Sequence, residues 1–77
     1  AFTAQYETLI DGRFWPVARY DTSHGRPHLD MLHPDGSNKE KHWLPDHLSY
    51  SEALTFAQQD LKDNWDRYRY EFREEYG

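Results

Sequence analysis

The sequence predicts an α+β fold, in which two β-hairpins form a four-stranded antiparallel sheet and a long C-terminal helix covers one of its faces. Three observations carry this prediction. Apolar and polar residues alternate in the first half of the chain, Asp-Gly turn signals interrupt that alternation, and apolar residues recur every three or four positions in the last third. We expect the 77 residues to form a single domain, with the sheet over 1–48 and the helix over 49–77.

The first hairpin is predicted from the turn signal Asp11-Gly12. Glycine tolerates the positive φ of a two-residue turn, and the strand before the turn alternates in polarity. One face of that strand collects Phe2, Ala4, Tyr6 and Ile10. The returning strand, Arg13–Tyr20, then places Thr8 opposite Trp15 and Tyr6 opposite Val17. Pro16 cannot donate a hydrogen bond to a neighbouring strand and marks an edge or a bulge.

The second hairpin joins strands predicted over 28–33 and 39–44, and its register is open. A loop of odd length places Trp43 beside Leu29 on the core face and leaves His42 on the outer face with His28 and Asp30. A two-residue loop reverses every side chain of the fourth strand, because a slip of one residue exchanges the faces. We favour the odd loop because it buries the tryptophan rather than the histidine.

The helix is predicted over Tyr50–Tyr76, after a capping box formed by Ser49 and Glu52. Its apolar stripe is Leu54, Ala57, Leu61, Trp65, Tyr68 and Phe72. The stripe is expected to pack on Tyr6, Ile10, Trp15, Val17, Leu29, Met31 and Trp43 of the sheet. A helix of about 40 Å is longer than such a sheet. Its end is therefore expected to overhang and to offer Tyr70 and Arg73 to a protein partner.

The composition removes several classes of protein. The net charge of −5 is poorly suited to non-specific nucleic-acid binding, which needs a surplus of lysine and arginine. There is no cysteine, so disulfides and cysteine-based zinc sites are excluded. No apolar run approaches the roughly 18 residues of a membrane span, and we expect a cytoplasmic protein without a cofactor.

The polar stretch 18–36 supplies the candidate catalytic residues, and it holds three of the five histidines. Cleavage of RNA without a metal needs a base, an acid and a cation for the phosphate. His24 and His28 suit the proton transfers, and Arg19 with Asp21 completes the catalytic candidates. Tyr20 is a further proton donor and belongs, with Asp30 and His42, to the candidate binding residues. A metal site of His28, Asp30 and His42 is a third hypothesis, but the histidines lack a recognised ligand spacing and no metal is predicted.

The segments Arg19-Tyr20-Asp21, His24, Pro27-His28 and Lys41-His42 resemble small prokaryotic toxins of the TumE type. The resemblance implies an RNA-directed toxin of a toxin–antitoxin pair, neutralised by a partner protein, with Arg19, Asp21, His24 and His28 at its site.

Without a recognised catalytic motif, we rank a non-enzymatic protein-interaction module first. It would bind a protein partner or form a homo-oligomer, and the endoribonuclease toxin is the alternative.

Overall fold

The computed structural model describes residues 3–22 and 26–77. Over these residues the chain forms one open antiparallel sheet, with its strands side by side in chain order, followed by one helix. The elements are β1 (Thr3–Ile10), β2 (Arg13–Asp21), β3 (His28–Leu32), β4 (Asn38–Trp43) and α1 (Tyr50–Tyr76). The predicted α+β fold class is therefore confirmed. Phe2, expected on the core face of β1, lies outside the described residues.

The β1–β2 hairpin turns at Asp11 and Gly12, which both have positive φ (53° and 76°), as the Asp-Gly signal predicts. Thr8 lies opposite Trp15, also as predicted. Further from the turn the expected register is wrong, because Tyr6 lies opposite Ala18.

A bulge beside Pro16 explains this shift. Glu7 pairs with Pro16 and Tyr6 pairs with Ala18, so Val17 is an extra residue in β2. Proline has no backbone N–H, and a ladder that loses a hydrogen bond readily accommodates an extra residue at that point.

The β3–β4 hairpin has the predicted odd loop but not the predicted faces. Leu32 pairs with Asn38 across the loop 33–37, and Met31 pairs with Glu40, so Lys39 is an extra residue. This second bulge reverses the faces of all later residues of β4. Trp43 consequently lies opposite His28 and is half exposed, so its predicted place in the core is wrong.

The face predicted for His42 is also wrong, in the opposite direction to that of Trp43. His42 lies opposite Leu29 on the side of the sheet that faces α1, rather than with His28 and Asp30. The side of the sheet turned away from α1 is called the far face below.

The helix packs on the sheet through two alanines in its first half and two aromatic residues in its second half. The core side of α1 consists of Ala53, Ala57, Tyr68 and Phe72. Leu54 and Trp65 are 37% and 41% exposed, so their predicted burial is wrong. The two alanines let the helix backbone approach the sheet closely, which turns the bulkier Leu54 and Trp65 to the flank of the helix.

The sheet contributes the rest of the core. Its buried apolar residues are Ile10, Val17, Ala18, Tyr20, Leu29 and Met31, joined by Leu44 beyond β4. Tyr6, Trp15 and Leu61 pack against this cluster while remaining partly exposed, so their predicted contribution to the core is confirmed.

Both ends of α1 are fixed. The Ser49 side chain accepts a hydrogen bond from the Glu52 backbone, and the Glu52 carboxylate accepts one from the Ser49 backbone, which confirms the capping box. The hydrogen bond from the Ser49 backbone N–H, with a smaller contribution from the Ser49 hydroxyl group, lowers the pKa of the Glu52 carboxyl group. Gly77, with a φ of 92°, ends the helix and donates its N–H to the Arg73 carbonyl. The helix lacks the apolar stretch that a membrane span requires.

The last turns of α1 do not overhang the sheet, contrary to expectation. Phe72 is only 3% exposed, and the Tyr76 ring packs edge-on against Trp15 with their centroids 5.3 Å apart. Glu75 forms ion pairs with His33 and with Lys39. The β1–β2 hairpin and the β3–β4 loop thus extend the sheet layer beneath the helix end.

The packing of the helix end can be tested by truncating one buried and one exposed aromatic residue. Phe72→Ala should lower the free energy of unfolding by about 3–5 kcal/mol, because it removes a buried ring and leaves a cavity. Tyr70→Ala, at a 65% exposed position of the same helix, should change it by at most about 0.5 kcal/mol. Urea denaturation followed by circular dichroism measures both. Equal losses would contradict this packing.

Candidate functional site

A groove lies between α1 and the β3–β4 hairpin. The helix packs on β1 and β2, which leaves the helix side of β3 and β4 open. The opening has a volume of about 430 Å³, and its lining includes Leu29, Met31 and Leu44. These apolar side chains are buried members of the core. The floor of the groove therefore consists of core side chains that are themselves only 3–7% exposed.

Phe56 of α1 borders the groove, and Trp43 lies at the β4 end of the groove with its ring on the far face. Phe56 of α1 is 45% exposed and Trp43 of β4 is 53% exposed. Exposed aromatic residues beside an apolar depression are typical of binding surfaces, where such rings supply much of the contact energy. The groove is thus the best-formed candidate site within the described residues.

A polar cluster around Asp60 closes the inner wall of the groove. The hydroxyl groups of Tyr20 and Tyr68 both donate to Asp60 Oδ2, at 2.7 and 2.6 Å. Asn64 Nδ2 donates to Asp60 Oδ1 at 2.9 Å. Both carboxylate oxygens are therefore satisfied, and the cluster ties the helix to β2 at a fixed position.

The two tyrosines of this cluster hold their protons firmly. Burial, reinforced by the hydrogen bond to Asp60, raises the pKa of Tyr68 to about 12. The same causes raise the pKa of Tyr20 still further. Tyr20 was a candidate proton donor for catalysis, but its hydroxyl group is bound to Asp60 on the helix side of the sheet.

The rims of the groove carry charges of both signs. On β4, His42 Nε2 lies 3.9 Å from Glu40 Oε1, and on α1, Arg67 Nε lies 4.0 Å from Glu71 Oε1. All four side chains are exposed, so each pair contributes little to stability. The candidate binding residue His42 thus borders the groove and takes no part in a cluster with His28.

The far face brings together three of the predicted catalytic residues. Arg19 pairs with Asp30, and the neighbouring Asp21 pairs with His28. Arg19 Nε donates to Gln5 Oε1 at 3.1 Å. The fourth catalytic candidate, His24, lies outside the described residues.

His28 is held on the far face by contacts on several sides. Its Nε2 lies 3.3 Å from Asp30 Oδ2, and its Nδ1 lies 3.3 Å from the Arg26 carbonyl oxygen. Its ring packs edge-on against Trp43, with the centroids 5.2 Å apart. His28 is therefore buried, and both of its ring nitrogens face oxygen atoms of the protein.

Asp30 is also buried, and its two oxygens differ. Oδ2 faces His28, whereas Oδ1 has no hydrogen-bond partner and lies 4.0 Å from Lys41 Nζ. The pairing of strands makes Asp30 and Lys41 direct neighbours. Among residues 3–22 and 26–77, no group of three or more potential ligands is arranged to hold a metal ion.

The exposed Trp43 ring is surrounded by cations on the far face. Lys41 Nζ lies 5.4 Å from the ring centroid, and Arg26 Cζ lies 5.8 Å from it. Arg26 is positioned by a hydrogen bond from its Nε to the Leu44 carbonyl oxygen, at 2.9 Å. Such cation–π contacts orient both positive groups around the end of β4.

The candidate interface residues Tyr70 and Arg73 are exposed on the outer side of α1, away from the groove. Sequence reasoning did not identify Phe56 and Asp60 as residues of the site. Phe56 was detectable, because it is a large apolar residue outside the predicted stripe of the helix. Asp60 gave no comparable signal, since its role depends on Tyr20, which is 40 residues away in the chain.

Comparison with protein families gives one result. The profile of a domain of unknown function, DUF7718, matches residues 1–77, and the chain therefore belongs to that family. A search of curated proteins finds no match, and neither does a search of solved structures.

Tyr20→Phe tests the polar cluster through the pH dependence of stability. Above pH 10 tyrosines of the unfolded chain release protons that Tyr20 and Tyr68 retain in the folded protein, so stability falls as the pH rises toward 12. We expect the variant to lose less stability over this interval. At pH 7 it should be less stable by about 1–2 kcal/mol, because Asp60 loses a donor.

Urea denaturation at pH 8, 10 and 11 measures this difference. Tyr50→Phe, at an exposed position, is the matched control and should follow the wild-type protein. An identical loss of stability in Tyr20→Phe and the wild-type protein would contradict the role of the cluster.

Proposed function

We propose that this member of the DUF7718 family is a non-enzymatic protein-interaction module that binds an extended segment of a partner protein. The observation that carries the proposal is the position of β4. It is an edge strand of the sheet, and its residues Glu40, His42 and Trp43 line the groove. A strand added to this edge would place its side chains beside the groove, which is the recognition mode known as β-augmentation.

The backbone of β4 supports this mode. Leu44, just beyond β4, donates its N–H to the Pro27 carbonyl, at 3.0 Å. Because hydrogen-bonding residues alternate along an antiparallel ladder, His42 and Glu40 also turn their backbone groups toward β3. Lys41 and Trp43 then turn theirs to the open edge. These groups are available to the backbone of an added strand.

The groove also supports the proposal, because it offers a surface for the side chains of an added strand. In an added strand alternate side chains point to the helix side of the sheet. There they would meet the apolar floor and the exposed Phe56 ring. Covering Phe56 and Trp43 would remove apolar surface from water, and the backbone hydrogen bonds would fix the direction and register of the segment.

The endoribonuclease alternative draws less support from the geometry. Both ring nitrogens of His28 face acceptors within the protein, and Arg19 is bound to Gln5. Tyr20 lies on the opposite side of the sheet, bound to Asp60. A base and an acid exposed to one substrate are therefore not assembled by these three residues. Cleavage of RNA by the purified protein, lost in His28→Ala, would favour the alternative.

Site-specific crosslinking tests the proposed module. Phe56→benzoylphenylalanine places a photoreactive group at the rim of the groove, and Tyr70→benzoylphenylalanine places the same group on the exposed outer side of α1. In cells of the source organism, irradiation should attach one defined protein through position 56 and at least about fivefold less of it through position 70.

Mass spectrometry of the crosslinked peptide then identifies the residues bound at the groove. Crosslinks at position 70 alone would contradict the proposal and would favour an interface on the outer side of the helix. Equal crosslinking from both positions would indicate non-specific capture and would also contradict it.

A further inference from the structure

We infer that the segment bound along β4 is acidic, with carboxylate side chains that alternate with apolar ones. This inference rests on the proposed function, because it concerns the partner of the same edge and groove. It is carried by a difference between the two faces that β4 presents. One face is cationic and the other borders the apolar groove, so an added strand meets a different chemistry at each successive residue.

The cationic face is the far side of β4. Lys41 has a side chain that is 41% exposed, and the guanidinium of Arg26 lies beside the same Trp43 ring as the Lys41 ammonium. Asp30, whose side chain is only 10% exposed, is one carboxylate beside two cations, with Oδ2 3.3 Å from His28 Nε2 and Oδ1 4.0 Å from Lys41 Nζ. The local surface is therefore positive although the chain has a net charge of −5.

The apolar face is the helix side. There Glu40 Oε1 lies 3.9 Å from His42 Nε2, and on the opposite rim Arg67 Nε lies 4.0 Å from Glu71 Oε1. Beyond them lie Leu29 and Met31 on the floor of the groove. Side chains that point to this face gain from burial rather than from charge. The expected pattern in the bound segment is therefore acidic residues toward Lys41 and apolar residues toward the groove.

A second copy of this chain fits the same edge less well. Pairing β4 with β4 about a twofold axis, through the outward groups of Lys41 and Trp43, brings Lys41 against Lys41. Displacing one strand by two residues brings His42 against His42 instead. Lysines on an edge strand commonly prevent such pairing between identical chains. Here the same charge would select an acidic segment and reject a basic one.

Three synthetic peptides test the inference. Each has ten residues that alternate valine with glutamate, lysine or serine, and each carries a fluorophore whose anisotropy reports binding. The glutamate peptide should bind about tenfold more tightly than the lysine peptide at low salt, and this preference should shrink in 0.5 M NaCl. Equal affinities, or no binding of the glutamate peptide at millimolar concentration, would overturn the inference.

A charge reversal on β4 provides the second arm. Lys41→Glu should reduce the preference for the glutamate peptide by about fivefold or more, because an attraction becomes a repulsion. Lys62→Glu is the matched control, with the same change of charge on an exposed residue of α1 outside the groove, and should leave the preference unchanged. A preference that survives in Lys41→Glu would show that the acidic peptide binds elsewhere.

A backbone modification separates this inference from the proposed function. Chemical synthesis can methylate the backbone nitrogen of Trp43, which blocks the open edge without changing a side chain. Methylation at Tyr50 is the control, because the first residue of a helix has no intrahelical hydrogen bond to lose. Suppose that the unmodified protein binds all three peptides equally well and that methylation at Trp43 abolishes this binding. The proposed function is then supported, and the inferred preference for acidic segments is wrong.

Two other results would overturn the inference. If the blocked protein still binds the glutamate peptide, both the inference and the β4 edge of the proposed function are wrong. Sedimentation equilibrium of the chain alone reports self-association. A dimer that the block at Trp43 dissociates would show that a second copy, rather than an acidic segment, occupies the edge.

Discussion

The extra residue Lys39 in β4 is the constraint on which both surfaces of the site depend. The five-residue loop alone would place Trp43 on the helix side of the sheet. The bulge reverses the faces after it, so that Trp43 and Lys41 join the far face while His42 and Glu40 border the groove. Without Lys39 the alternation would place Trp43 on the helix side of the sheet, where the groove lies. One extra residue therefore decides which side chains of β4 face the groove.

The seating of the helix depends on a polar interaction in an otherwise apolar interface. Ala53 and Ala57 bring the helix close to β1 and β2, but alanines specify neither rotation nor position along the axis. Asp60 supplies that specification, because it accepts hydrogen bonds from one tyrosine of the sheet and one of the helix. A rotated helix would break the hydrogen bond from Tyr20 to the partly buried Asp60, at a cost of about 1–3 kcal/mol, whereas Tyr68 and Asn64 move with the helix. The cluster thus holds α1 over β1 and β2, and the opening over β3 and β4 follows from that placement.

The fold could be predicted from the sequence because its signals are local. The Asp-Gly turn and the Ser49–Glu52 capping box each specify their own element, and alternation specifies the strands. The faces of β4 could not be predicted, because the bulge at Lys39 has no local signature. The side of the helix that faces the sheet was also predicted wrongly, and for a related reason. Hydrophobicity favours Trp65 at the interface, whereas packing selects Ala53 and a carboxylate that becomes acceptable there only beside Tyr20. Arg19, Asp21 and His28 were grouped by their closeness in the chain, and strand alternation joined His28 only with Asp30. The burial of His28 depends on contacts with Trp43 of the neighbouring strand, which the sequence does not indicate.

The two sides of the sheet bear differently on function. On the far face His28 lies between Asp30 and the Arg26 carbonyl oxygen, with both ring nitrogens 3.3 Å from oxygen atoms of the protein. On the helix side a groove lies over the core beside β3 and β4, and the edge strand β4 runs along it. A strand added there is a ligand that can use both sides at once, because its alternate side chains reach the groove and the cations around Trp43. In the proposed function, the bulge at Lys39 therefore sets which residues of β4 face the groove and which face the cations, and so sets the alternation expected in a bound segment.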